Sequence, residues 1–560
     1  MAHLIHGKAS VVWIEICVAL VTHAWVRKHE PKSLTKLLLG LIITPSCPVA
    51  ILWSSHWGTH VVWQPYVIFY TALLLSIVTY RISPFHPLAQ HPGPILCKVS
   101  KLWLTYVAYR GKLHEYHKYL HDTYGQIVRV GPNELSITDK EYIPLVLGSP
   151  GLPKGPLWDG RIVTSANSKN KNNSLISVPD LQRHAQLRKP WNKAFGSAPL
   201  KDFADILTHK ALELSGHLVG ICWSSQNHRA HIDLAQWISF FSFDFMGDMA
   251  FDGSFELMRN GDKDGLWRGM ESALLTASLS QHIPWIANAI RAMPFTGKGM
   301  RDFGAFAVKQ AKLRSTKEVY RRDLFYHLLN VTDPDSTTDP FPVIVSNSVL
   351  TIIAGSDTSA TVLSNIIFYL LVNHEYLVAL RAEIDQNFPF AEQAPIIVTK
   401  LAGMKLLNAI INETLRLLPP LPISIQRAPQ KGSGGKFIGK TFIPEGTGIN
   451  IPPYCLHRDP RYFAPRTEEF WPERWLIDNP GDPNFILDLA AFIPFSFGPA
   501  NCAGKPLAML ELRYITTMLV RQFDISFETG FETDLWEKNL LDRFVLTKGP
   551  LPVVLSLRGT

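Results

Sequence analysis

Phe495-Ser496-Phe497-Gly498-Pro499-Ala500-Asn501-Cys502-Ala503-Gly504 is the stretch whose reading decides the fold of this chain. A Phe stands seven residues before a Cys, a Gly four before it and a Gly two after it, and Lys505-Pro506-Leu507-Ala508-Met509-Leu510-Glu511-Leu512-Arg513 follows as a helix. This describes a turn that presents a thiol at a helix N-terminus, where the dipole and free N–H groups favour the thiolate, the form of sulfur that ligates iron. Gly498 and Gly504 let backbone lie close to a flat ligand, and Phe495 would shield the sulfur from water. A lone Cys in apolar surroundings is more often a buried structural residue. The spacing weighs against that, and Cys502 is the candidate metal ligand.

The stretch resembles the haem-binding loop of cytochrome P-450, the haem-thiolate monooxygenases. The resemblance implies a mainly α, helical haem domain with a small β-sheet region, holding haem b through the Cys502 thiolate, which favours O–O cleavage. One departure is Ala500, where the family usually places Arg or His against a haem propionate. Glu413-Thr414-Leu415-Arg416 resembles the family's ExxR element. Alone it is weak, because Glu and Arg three apart occur on many solvated helix faces. Here Leu407, Ile410, Ile411, Leu415 and Leu417 surround it, so the helix is expected inside the protein, where a charge pair needs further partners. Pro472-Glu473-Arg474-Trp475 resembles the family's PERF element, so a Glu413–Arg416–Arg474 network that holds the core and the haem loop is expected.

From Pro342 to about His374 the chain is apolar nearly all round, as a helix through the core of a large protein would be. Its middle, Ala354-Gly355-Ser356-Asp357-Thr358-Ser359, resembles the family's (A/G)GxDT element. The resemblance implies that Gly355 leaves room for oxygen over the iron and that Asp357 and Thr358 form an acid–alcohol pair delivering protons. The competing reading of Thr358 is a hydroxyl bonded back to the preceding turn. A carboxyl on so apolar a helix costs about 2 kcal/mol or more without a partner or role.

Haem propionates need cations. His184 and Arg188 stand four apart on one face of a helix within Asp180–Phe195, and Arg427 follows Leu421-Pro422-Ile423-Ser424-Ile425-Gln426. By resemblance these three contact propionates; by default each is an ordinary surface or core residue.

With 560 residues and 46% hydrophobic content, the chain can bury a large core. Six cysteines without paired spacing imply no disulfide framework. The charge of +8 has no basic run or aromatic ladder beside it, so nucleic acid is not an expected partner; membrane lipids and an acidic electron donor are. Residues 1–80 hold three apolar segments, Ala9–Val26, Leu37–Trp53 and Val61–Tyr80, read as transmembrane helices. Arg27, Lys28, Lys32 and Lys36 crowd the first connection, whereas Ser54–His60 has no Lys or Arg. The positive-inside rule then puts residues 95–560 in the cytosol. Residues 81–94, rich in Pro, read as a stiff hinge. A multi-pass protein of the endoplasmic reticulum membrane is expected.

Leu113–Tyr124 reads as an amphipathic helix, and two short strands flank Gly131-Pro132-Asn133. No GxGxxG nucleotide motif is present, so electrons are expected from a separate NADPH-cytochrome P-450 reductase. By resemblance the substrate pocket is walled by about Gly151–Asn173, Ser272–Pro294, Ile352–Ser356, Pro420–Ile425 and Phe544–Leu546. These stretches are mostly apolar and predict a lipophilic small molecule. The expected function is insertion of one atom of O2 into such a molecule, by hydroxylation or epoxidation, in fungal secondary metabolism such as terpenoid tailoring. The alternatives are a haem-thiolate isomerase or dehydratase, which often lacks the acid–alcohol pair, and a non-catalytic haem-binding membrane protein.

Overall fold

A computed structural model of the chain describes residues 2–29, 34–56, 63–161, 174–251, 253, 255–283, 298–316, 322–329, 341–390, 395–477 and 481–559. The expected pocket-wall stretches 162–173 and 284–294 lie outside the described residues.

The expected apolar segments are helices: α1 (Ala2–His29) and α2 (Leu34–His56), each longer than its apolar core, and α3 (Trp63–Ile82), set two residues later than expected. They pack on one another. His23 Nδ1 lies 2.7 Å from Ser76 Oγ, and the Arg27 guanidinium sits 4.4 Å from the centre of the Tyr80 ring, so polar contacts fasten α1 to α3. Helix α3 is long and apolar enough to cross a membrane; α1 and α2 fall short of that measure.

Beyond the hinge the chain is mainly α. Its core gathers on α4 (Leu181–Ala194), α5 (Leu234–Phe251), α6 (Leu266–Ser280), α7 (Phe341–Val372), α8 (Lys405–Leu417) and α9 (Lys505–Gln522). Helix α7 is central, and every residue from Ser359 to Leu370 is buried. Polar side chains there find partners on other elements: Thr361 donates to the Leu546 carbonyl at 2.9 Å, and the Asn365 side-chain oxygen accepts the Trp536 indole N–H at 3.0 Å. Helix α5 lies closely along it. A side chain at Gly355 would meet Met246 Cε at 2.6 Å, so the glycine lets α5 and α7 approach.

The small β region starts where two strands were expected. Strand β1 (Ile127–Gly131) pairs antiparallel with β2 (Glu134–Ile137) around the Pro-Asn turn, with a bulge at its end. Strand β2 pairs parallel with β3 (Gly448–Asn450), placing Glu134 beside Gly448. A second three-stranded sheet sets the C-terminal strand Pro552–Leu557 between Ala230–Asp233 and Phe523–Phe527. It anchors the C-terminus to the helical body near α5 and α9.

Candidate active site

The Cys502 loop is built by backbone geometry. Gly498 has φ +73°, and a Cβ there would meet the Leu147 carbonyl oxygen at 2.2 Å. Conformation and crowding both demand glycine, for the packing of the loop against Leu147-Gly148. Gly504 is different: the nearest atom to its missing Cβ is Phe195 Cζ at 4.0 Å, so contacts with protein do not require it. The Cys502 amide donates to the Phe495 carbonyl at 2.9 Å, closing the turn, and the half-buried Phe495 ring carries the Lys505 ammonium 5.6 Å from its centre. Helix α9 begins at Lys505.

Cys502 is exposed at the loop, yet the surrounding protein pushes its thiol pKa up. The Gly504 and Lys505 amides and the Arg188 guanidinium pull it back. Desolvation by the surrounding protein outweighs the pull of those amides and of Arg188.

Arg188 does not stand free toward a ligand. Its Nη1 donates to the Asn501 carbonyl at 2.5 Å, its Nη2 to Asn501 Oδ1 at 2.8 Å, and its Nε to Asn192 at 2.7 Å. It ties α4 to the residue before Cys502. His184, one turn earlier, is buried, and burial together with Lys154, Arg427 and Arg188 lowers its pKa to about 4. Lys154 is a member of this cluster that the sequence did not signal. Its Nζ donates to the Leu175 and Val178 carbonyls at 3.1 and 2.9 Å, and burial with neighbouring Arg427 brings its pKa to about 7. Arg427 is buried, and its Nε makes no hydrogen bond. A soft sulfur ligand beside desolvated cations, one with an unsatisfied donor, suits an iron-bearing ring with two carboxylates. The donor set fits haem.

Helix α7 meets α9, and its central residues divide between two faces. Ala354 is exposed and Thr358 partly so, while Ile352, Ser356, Asp357 and Ser359 are buried. The space expected at Gly355 is taken on its Cβ side by Met246; the exposed small residue is Ala354. Asp357 and Thr358, neighbours on the helix and so pointing about 100° apart, each bond elsewhere. The Thr358 hydroxyl donates back to the Ala354 carbonyl at 2.5 Å. Asp357 Oδ1 lies 4.0 Å from the buried Lys548 ammonium, and Oδ2 makes no hydrogen bond. Burial raises the Asp357 pKa, with Lys548 opposing, and Glu271 on α6 is raised to about 6 by burial and by Asp357.

Glu413, Arg416 and Arg474 come together with no exposed surface. Arg416 Nη2 and Nε grip Glu413 Oε1 and Oε2 at 2.8 and 2.9 Å, and Arg474 Nε reaches Oε1 at 3.1 Å. The Trp471 amide and the Trp475 indole also donate to Glu413, both at 2.9 Å. The carbonyls of His457, Thr467 and Glu469 take the outer face of Arg416. Apart from Arg474 Nη1, this is the satisfied geometry a buried ion pair needs.

Residues from four of the five expected pocket walls, all but Ile352–Ser356 on α7, meet at a cavity of about 40 Å³, whose lining includes Leu157, Trp158 and Arg161, Gln281 and His282, Ile423–Gln426, Glu134, Asp542 and Phe544. Apolar walls were expected; much of this lining is polar or charged. Hydrophobic counts along each stretch do not show which side chains turn inward.

A helical body around one long core helix, an accessible Cys at the head of α9 and a buried Glu–Arg–Arg lock define a haem-thiolate protein. The cytochrome P-450 family model matches residues 90–553, and the chain belongs to that family. It is similar to cytochrome P-450 67 of Uromyces fabae (31% identical, covering 84% of this chain and 86% of that protein). It is also similar to cytochrome P-450 monooxygenase FCK2 of Fusarium pseudograminearum (32%, covering 87% and 85%) and tryprostatin B 6-hydroxylase of Aspergillus fumigatus (31%, covering 87% and 83%). With these fungal relatives, it is a cytochrome P-450 monooxygenase.

Proposed function

We propose that the protein inserts one oxygen atom of O2 into a lipophilic small molecule of fungal secondary metabolism, with electrons from a separate NADPH-dependent reductase. The observation that carries this is Cys502, accessible at the start of α9 and grouped with Arg188, His184, Lys154 and Arg427. Haem bound through Cys502 supplies the redox-active iron for oxygen activation. His184, Lys154 and Arg427 would hold its carboxylates, with Lys154 providing the cation that Ala500 lacks, while Arg188 braces the loop through Asn501. The Thr358 hydroxyl commits its proton to Ala354 O, leaving its oxygen lone pairs as an acceptor on the exposed side of α7. Asp357 stores a proton behind it, raised by burial and tuned by Lys548.

Membrane placement follows from α3, with α1 and α2 packed on it. The reading is a multi-pass anchor in the endoplasmic reticulum membrane, supported by the basic residues between the first two apolar segments and the absence of Lys and Arg between the second and third. The test is the carbon monoxide difference spectrum of the reduced protein in membranes, beside Cys502→Ser. A strongly red-shifted Soret band lost in the variant is expected; a band that survives it would sink the ligand assignment. With substrate, Thr358→Ala should lower product per NADPH several-fold, and an unchanged ratio would remove Thr358 from proton delivery.

A further inference from the structure

Five side-chain atoms around the 40 Å³ cavity are buried and make no hydrogen bond: Trp158 Nε1, Arg161 Nη2, His282 Nδ1, Asn450 Oδ1 and Asp542 Oδ2. Their other polar atoms are largely fixed. Arg161 Nε donates to Gln281 Oε1 at 2.6 Å, and its guanidinium lies 3.8 Å from the centre of the Phe544 ring. The remaining Gln281 amide nitrogen is 3.3 Å from His282 Nε2 and can only donate, which places the imidazole proton on Nδ1. Asp542 Oδ1 accepts the Phe544 amide at 2.9 Å. The residues around the cavity therefore leave three donors and two acceptors unbonded, with Arg161, His282 and Asp542 held in orientation by neighbours. Arg161 and Asp542 form no ion pair with each other, but each sits in the other's field, and the third charged side chain of the lining, Glu134, is already paired with Lys101 at 2.5 Å, so the charges roughly cancel.

Native proteins rarely leave so many buried polar atoms unpaired in one place, and each costs about 1–3 kcal/mol unless something fills the role. A lining of cancelled charge disfavours an ion. Donors facing acceptors suit a neutral group that both accepts and donates, and about 40 Å³ suits one small functional group rather than a whole molecule. Resting on the monooxygenase reading above, we infer that this cavity recognises a neutral amide-type group on the substrate, its carbonyl taken by Arg161 and Trp158 and its N–H by Asp542. The lipophilic remainder of the substrate then lies outside the cavity, and the polar anchor fixes which carbon is presented for oxidation.

The test is calorimetric binding of N-methyloctanamide and methyl octanoate to the full-length, haem-loaded protein in detergent. The two probes differ only in N–H against O. The amide should bind the wild type about 10-fold tighter or more, as expected for loss of a buried bond to a charged acceptor. Asp542→Leu should shrink that preference to about 3-fold or less, and Arg161→Leu should weaken both probes about 10-fold. Equal affinity, or no binding of either up to its solubility, would show a site for water only and overturn the inference. The wild-type comparison needs no variant to fold. Absence of the thiolate band in the carbon monoxide spectrum would instead defeat the functional reading, because the calorimetry does not depend on it.

Discussion

The Glu413 cluster and the Arg161 cavity are both buried assemblies of charge, and they are finished to different degrees. Around Glu413 both carboxylate oxygens take several donors and every guanidinium nitrogen of Arg416 is bonded; Arg474 Nη1 is the exception among the three side chains. Around Arg161, five polar atoms wait without a partner. A closed network spends its polar groups on holding the fold, whereas an open one keeps them for something that arrives. The difference separates structural from functional charge without reference to any relative.

The largest expected effect breaks the closed cluster. Glu413→Gln keeps the shape but leaves Arg416 and Arg474 buried without a carboxylate, which should cost about 3–5 kcal/mol. The measure is the thermal midpoint together with the yield of soluble haem-bound protein. A loss below about 1 kcal/mol would mean that the backbone carbonyls around Arg416 and Arg474 carry the cluster, and the contrast with the cavity would weaken.

What was legible in the sequence follows the same divide. The i, i+3 spacing of Glu413 and Arg416 and the loop around Cys502 are local, and a helix or a tight turn fixes their geometry wherever the chain goes. The long apolar run of α7 likewise announces a core helix, and Gly131-Pro132-Asn133 a strand turn. The carbonyls of His457, Thr467 and Glu469 that complete Arg416 depend on the path of a loop, which no local pattern encodes. Asp357 and Thr358 are read as a pair through the resemblance of their stretch, while the partners each one takes, Lys548 and the Ala354 carbonyl, show only in the fold. That a Cβ at Gly355 would meet Met246 depends on how α5 lies along α7, which no local pattern encodes. Lys154 gave no signal, being a single Lys in a Pro- and Gly-rich loop. The cavity was the least legible of all, since its five open atoms come from four distant stretches of chain and their openness exists only in three dimensions.

Glu511 sharpens the comparison as an intermediate case. It is buried on α9 and accepts from the Ser242 hydroxyl at 3.1 Å, and burial drives its pKa from 4.5 to about 8 despite Ser359 and Ser242. Between those two values the folded protein keeps a proton that the unfolded chain has released. Stability therefore falls as pH rises through that window, by at most about 1.4 kcal/mol per pH unit from this group, and is flat in this respect below it. Comparing denaturant midpoints at pH 5 and pH 8 for wild type and Glu511→Gln should show a shallower decline in the variant. An identical decline would mean that Glu511 is ionised in the fold and belongs with the closed clusters.

The smallest effect on stability is the most telling. Arg161→Leu removes a buried cation whose pKa burial has already brought down to about 9. It gives up the bond to Gln281 and the stacking on Phe544, but it also removes an unpaired donor and a desolvated charge, and leucine fills part of the same volume. The losses and gains are of similar size, so the net change should lie within about 1 kcal/mol, read as a nearly unmoved thermal midpoint. Asp542 then keeps an acceptor without its balancing cation, and its carboxyl, already pushed up to about 6, should rise further. If the variant instead falls by as much as Glu413→Gln, Arg161 is a structural residue and the division between closed and open charge does not hold at this cavity. If the midpoint holds while amide binding drops, the same substitution has separated folding from recognition.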